Sequence, residues 1–145
     1  MRRAPGRETR LLVSGEERLI EKLYVGGGGC EAWRERLRGT AARSPARREY
    51  DALVELHELG VPVPRALALA EDGRRSCVRM SYVPHAETLA ERLAEAPTNE
   101  RRQWGNALLD VVLRLHRAGW YHRDLYFVHF LVRSDGGLCL IDLGR

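Results

Sequence analysis

The stretch WYHRDLYFVHFLV, residues 120–132, places His122, Arg123, Asp124 and His129 inside one of the most apolar segments of the chain. A charged or imidazole group set among Trp, Tyr, Phe, Leu and Val must find a partner or cost stability. Any fold that accepts this segment has to supply those partners. The apolar run LIDLGR, residues 140–145, follows closely and carries a further carboxylate, Asp142.

With 145 residues the chain is one domain or part of one, long enough to bury about two-thirds of the surface its unfolded form exposes. Its hydrophobic content of 44% and charged content of 30% are those of an ordinary soluble protein. No apolar run approaches the roughly 20 residues of a membrane span. The start, MRRAPGRETR, is basic but lacks the apolar stretch of a signal peptide, so a cytoplasmic location is expected. Cys30, Cys77 and Cys139 are widely spaced and form no CxxC pair. They read as reduced, semi-buried fillers rather than a disulfide framework or a thiolate zinc site.

The net charge of +4 favours phosphate-rich partners without choosing among them. The composition of that charge is more pointed: of 24 basic residues, Lys22 in RLIEKLYV is the only lysine. A compact ammonium and a planar guanidinium differ in geometry and hydration, so a lone lysine in an arginine-rich chain marks a position to explain.

Residues 10–25 form two apolar runs around SGEE, which predicts a β-hairpin turned at Ser14 and Gly15. The GGGG run that follows lacks the ending of a Walker motif and the GxGxxG spacing, and reads as a connector. Ser44 before Pro45 predicts a helix start, and Gly60 with VPVP predicts its end. Glu49, Leu53 and Leu56 share one face of that helix. Helix geometry alone makes Glu49 one of several surface glutamates near a helix start. Segments 66–71 and 75–83 predict a second hairpin around DGR, and PHAETLAERLAEA a short linker and a helix. A long helix is expected from about Asn99 to Ala118, with Trp104, Leu108, Val111 and Leu115 as its buried stripe. HFLVR, the turn SDGG and LCLIDLGR give a third hairpin signal. This order of elements predicts an α+β protein.

HRDLYFVHFLV followed by LIDLGR resembles the catalytic loop and metal-binding turn of protein-kinase-like folds, written HRDxxxxN and DFG. The pattern HRD-x-Y-x-x-HF more closely resembles the lipopolysaccharide kinase family of Kdo/WaaP type, especially its core heptose kinase branch. The resemblance implies a kinase-like N-terminal lobe over residues 1–83, and over 84–145 a hinge and the start of a C-terminal lobe through DLG. Against that pattern, the sequence begins without a clear first strand and with an incomplete glycine-rich loop, of which Gly6 remains. RMSYVPHAETL is similar to the hinge between lobes, which assigns Met80, Ser81 and Val83 to nucleotide binding.

The implied activity is ATP- and Mg²⁺-dependent transfer of a phosphoryl group to a sugar hydroxyl, heptose or Kdo, of the lipopolysaccharide inner core. Such a reaction asks the protein for positioning and charge neutralisation. The resemblance assigns Lys22 to the phosphates, Glu49 to holding its ammonium, and Asp124 to accepting the proton of the attacking hydroxyl. Asp142 would bind magnesium, a hard cation that takes oxygen ligands. His122 would brace the metal-binding turn and Arg123 would contact the activation segment. His129 stands where protein kinases place an asparagine, and is assigned near the nucleotide or metal, although imidazole is the poorer magnesium ligand. The expected partner is the glycolipid acceptor, with peripheral contact at the cytoplasmic face of the inner membrane, no transmembrane segment and no nucleic acid.

Other readings fit less well. A His-x-Asp…His iron triad normally takes its distant histidine from another strand, whereas His129 follows Asp124 within the same loop. Arginine clusters such as WRERLRGTAARSPARR carry no nucleic-acid recognition motif. His57 and His116 read as packed or solvated helix residues, and His85 as an exposed hinge residue. Two alternatives remain: a protein Ser/Thr/Tyr kinase-like enzyme, and a catalytically incomplete kinase-like fragment acting as a binding module. The latter follows from the sequence stopping at DLGR, and it predicts exposed apolar surface on the 99–118 helix.

Overall fold

The computed structural model describes residues 2–4, 6–26, 37, 43–123 and 125–143. The chain divides into two compact units, one built from Met1–Ala52 and Arg65–Tyr82, the other from Leu53–Pro64 and Val83–Leu143.

The first unit holds a five-stranded antiparallel sheet. Its strands are β1 (Arg2–Ala4), β2 (Arg7–Ser14), β3 (Glu17–Val25), β4 (Ala66–Asp72) and β5 (Arg75–Ser81), in the order β1-β2-β3-β5-β4. The β2–β3 hairpin closes on the pair Ser14 and Glu17, so its turn is Gly15-Glu16, one residue later than the sequence suggests. The second hairpin closes on Asp72 and Arg75. The expectation of no clear first strand is corrected by β1, a three-residue strand in register with Arg7–Thr9. Its shortness and its two arginines hide it from a search for alternating apolar residues. Residues 27–29 of the glycine run lie outside the described residues.

Helix α1 (Pro45–Glu58) begins as expected: the Ser44 hydroxyl accepts from the Arg47 amide at 3.0 Å. Its residues through Ala52 belong to the first unit and the rest to the second. Ala46, Glu49 and Ala52 are buried, as are Lys22 and Tyr24 of β3 and Ser76, Val78 and Met80 of β5. Strand alternation explains the sheet side of this core, because Lys22 lies opposite Val78 and Tyr24 opposite Ser76, all on one face.

The second unit carries β6 (His85–Thr88), α2 (Leu89–Glu95), α3 (Thr98–Arg117), a 3-10 turn (Phe127–His129), β7 (Phe130–Arg133) and β8 (Leu138–Leu140). Its sheet has the order β6-β7-β8, all antiparallel. The expected linker before α2 is therefore corrected to a strand. Thr88 then caps α2, its hydroxyl accepting from the Glu91 amide while the Glu91 carboxylate accepts from the Thr88 amide.

Helices α1 and α3 end in the same way. The amides of Gly60 and Val61 donate to the carbonyls of His57 and Leu56, and those of Gly119 and Trp120 to His116 and Leu115. Both glycines have positive φ, +75° and +78°, the conformation this cap demands. Val111 and Leu115 of α3 are buried, with Leu89, Phe130, Leu138 and Leu140. Each such side chain contributes roughly 1.5–3 kcal/mol by leaving water. Trp104 and Leu108 are only half-buried, and Leu109 and Leu113 are exposed, so the apolar stripe of α3 is covered over its second half alone.

Cys77 is half-buried and Cys139, on β8, is buried; both are free thiols, while Cys30 lies outside the described residues. Burial pushes the Cys139 thiol up to about 12. Only about one molecule in 10⁴ then carries the reactive thiolate at pH 8, so Cys139 stays unlabelled by iodoacetamide in the native protein and reacts after urea unfolding. A raised folded value also fixes the sign of the pH effect: its contribution is complete below the unfolded thiol's ordinary range and is lost as pH rises toward 12. Rapid native labelling of Cys139 would contradict this burial.

Candidate active site

In the first unit, Lys22 and Tyr24 point toward α1 from alternate positions of β3. The Lys22 ammonium donates to Oε1 of Glu49, and the Tyr24 hydroxyl donates to Oε2 of the same carboxylate. Glu49 is 1% exposed, Lys22 5% and Tyr24 8%. The reading of Glu49 as a surface glutamate from helix geometry alone is thus corrected, and the pairing implied by the resemblance is present. Tyr24 was not among the residues expected here. Its signal was its place two residues after Lys22, which puts both on one strand face.

Met80 is buried in β5 opposite Ile20. Ser81 is engaged with Arg65: its hydroxyl accepts from the Arg65 amide at 2.9 Å, and its own amide donates to the Arg65 carbonyl at 2.9 Å. The Ser81 side chain therefore serves the β4–β5 end of the sheet. Val83, half-buried, begins the larger segment of the second unit.

In the second unit, the segment 120–143 folds back on itself through β7 and β8. Imidazole Nε2 of His122 donates to the Asp142 carbonyl oxygen at 2.9 Å, which places the proton on Nε2. His129 is fixed by its backbone, whose amide donates to the Tyr126 carbonyl and whose carbonyl accepts from the Ile141 amide at 2.8 Å. Its Nε2 stands 3.9 Å from Oδ2 of Asp142, and its ring meets the Tyr126 ring at 64° with centroids 5.8 Å apart. His122 and His129 of the opening segment thus both meet the turn at Asp142, their ring centroids 5.8 Å apart. Asp142 has φ +65°, the only positive value at a non-glycine residue among the described residues. Aspartate tolerates this left-handed conformation better than most residues. Arg123 is exposed, and Asp124 lies outside the described residues.

Asp142 offers a carboxylate oxygen, the type of ligand that a hard cation such as Mg²⁺ takes.

A five-stranded antiparallel sheet with a buried lysine–glutamate pair to its helix, followed by a histidine-braced aspartate turn, defines a protein-kinase-like fold. The chain is similar to the Cydia pomonella granulovirus kinase PK-1, with a TM-score of 0.65 at 14% identity over 90% of this chain and 44% of that one. Within that class the chain belongs to the lipopolysaccharide kinase (Kdo/WaaP) family, whose pattern it matches over residues 2–145. It is 31% identical over 147 residues to lipopolysaccharide core heptose(I) kinase WaaP of Pseudomonas aeruginosa, spanning 92% of this chain and 54% of that protein. It is also 31% identical over 108 residues to the RIO-type serine/threonine-protein kinase Rio1 of Haloferax volcanii, spanning 74% of this chain and 36% of that protein. The chain therefore spans about half the length of the first relative and about a third of the second.

Proposed function

We propose that the chain carries the nucleotide- and metal-handling part of a kinase that transfers the γ-phosphate of ATP to a sugar hydroxyl, heptose or Kdo, of the lipopolysaccharide inner core. The observation that carries this reading is the buried Lys22–Glu49 pair. A desolvated lysine held by one carboxylate is a fixed positive charge suited to phosphate oxygens. Lys22 contacts the α- and β-phosphates, and Met80, Ser81 and Val83 border the base. Asp124 orients the acceptor hydroxyl and takes its proton as the oxygen attacks the γ-phosphorus in line and the bond to the ADP oxygen breaks. Arg123 and His122 support that loop, His122 through its bond to the Asp142 carbonyl. Asp142, with His129 beside it, would hold Mg²⁺, which when bound neutralises phosphate charge. The reaction takes place at the cytoplasmic face of the inner membrane, with peripheral contact to the acceptor's bilayer. Among the described residues no helix is long and apolar enough to cross a membrane.

The test is transfer of labelled γ-phosphate to dephosphorylated core lipopolysaccharide by the natural full-length protein, compared with Asp124→Ala. A loss of at least about a hundredfold is expected for the variant. Equal incorporation by both proteins removes Asp124 from the mechanism. Label entering protein but not glycolipid would shift the reading to a protein kinase, in line with the similarity to Rio1.

A further inference from the structure

We infer that Tyr24 is a positioning residue for the phosphate-binding lysine, acting through Glu49; the inference rests on the nucleotide-binding reading of Lys22. Glu49 has two carboxylate oxygens, and each receives one donor from β3: the Lys22 ammonium on Oε1 and the Tyr24 hydroxyl on Oε2. The two donors sit two residues apart on one strand, about 7 Å along its axis, so their heads converge on the carboxylate from either side.

Burial decides how much this matters. At 1% exposure Glu49 cannot turn Oε2 toward bulk water, and a charged oxygen without a donor there is penalised. Were Tyr24 to lack its hydroxyl, the carboxylate would rotate to share Lys22 between both oxygens or draw the helix residue away from the strand. Either movement displaces the ammonium. The phenol satisfies the second oxygen without adding a charge, so Lys22 remains the cation of this buried group. The Tyr24 ring is itself held from both flanks. Arg7, opposite on β2, places its guanidinium carbon 5.9 Å from the ring centroid, and Ser76, opposite on β5, is buried beside it. With Tyr24 seated in this way, Glu49 has one orientation, and Lys22 follows from it.

The experiment is a double-mutant cycle on the natural full-length protein: wild type, Tyr24→Phe, Glu49→Gln and the double variant. Two quantities are measured, ATP affinity in the presence of Mg²⁺ and urea unfolding. Tyr24→Phe is expected to weaken ATP binding about tenfold in the wild-type background and less than about twofold in the Glu49→Gln background. Glu49→Asp replaces Glu49→Gln in the cycle if the latter fails to fold. An unchanged ATP affinity in Tyr24→Phe overturns the inference. So does an equal loss in both backgrounds, which would make Tyr24 a packing residue only. Coupling in urea unfolding without coupling in ATP affinity likewise overturns positioning while leaving the contact standing. A wild-type protein that binds no ATP removes the nucleotide-binding reading, and the inference falls with it.

Discussion

Lys22→Met lowers the stability of the protein by about 3–5 kcal/mol, seen as a fall in the urea midpoint with an unchanged slope. The magnitude follows from burial rather than from the strength of the ion pair. Lys22 and Glu49 are both out of water, so removing the ammonium leaves a carboxylate whose hydration was given up on folding and whose charge now has no counterpart. Tyr24 still donates to Oε2, but one neutral hydroxyl does not replace a cation. The double variant Lys22→Met/Glu49→Leu recovers part of the loss, because two apolar side chains of similar volume remove the charge and fill its space while the Tyr24 hydroxyl loses its Glu49 acceptor. Both variants lose phosphoryl transfer. The net stability that the pairing adds over an apolar alternative is thus expected to be small, and the benefit proposed for it lies in phosphate binding. A stable Lys22→Met protein, or a double variant no better than the single, would show that solvent reaches the pair after all.

The second large effect is expected at Asp142. Asp142→Asn retains the fold and loses phosphoryl transfer by about a thousandfold, the scale on which a preorganised electrostatic group acts. Asparagine is the informative substitution because it accepts the left-handed backbone that Asp142 adopts at φ +65°. The bond from His122 reaches the backbone carbonyl of residue 142 and does not depend on its side chain. Only the anionic oxygen is removed. A binding readout accompanies the activity: ATP with Mg²⁺ at about 100 times its dissociation constant stabilises the wild type by about 2.7 kcal/mol, and the variant far less. Equal stabilisation of both proteins would remove Asp142 from metal binding.

Features carried by single residues were the most legible in the sequence. Ser44, Gly60 and Gly119 announce helix ends, and the glycines adopt the backbone that such ends require. Gly73 and Gly136 punctuate the second and third hairpins in the same way. Strand β6 escaped because its four residues gain their pairing from β7, more than forty positions later, and carry no alternation of their own. Strand β1 escaped for another reason: it has three residues, two of them arginines, and so shows no alternation although its partner β2 follows at once. Proximity was legible where a motif carries it: His122 and Asp142 were expected together and are joined by a hydrogen bond. Glu49 was legible only through resemblance. Helical spacing put it on the apolar face, yet a carboxylate in that position has no partner until the strand that supplies one is known. Tyr24 was missed because a tyrosine two residues from a lysine on a strand is unremarkable until a single carboxylate is found to accept from both.

That shared carboxylate also bears on how the sheet finds its alignment. A slip of β3 by one residue against its neighbours would turn Lys22 and Tyr24 to the opposite face and present Glu21 and Leu23 to the helix in their place. Glu49 would then confront another carboxylate and a leucine, having lost two donors at once. A slip of two residues would keep the face but leave only one of the two donors within reach. The acid on α1 therefore acts as a checkpoint on strand registration, rejecting misaligned pairings that hydrophobic burial alone would tolerate.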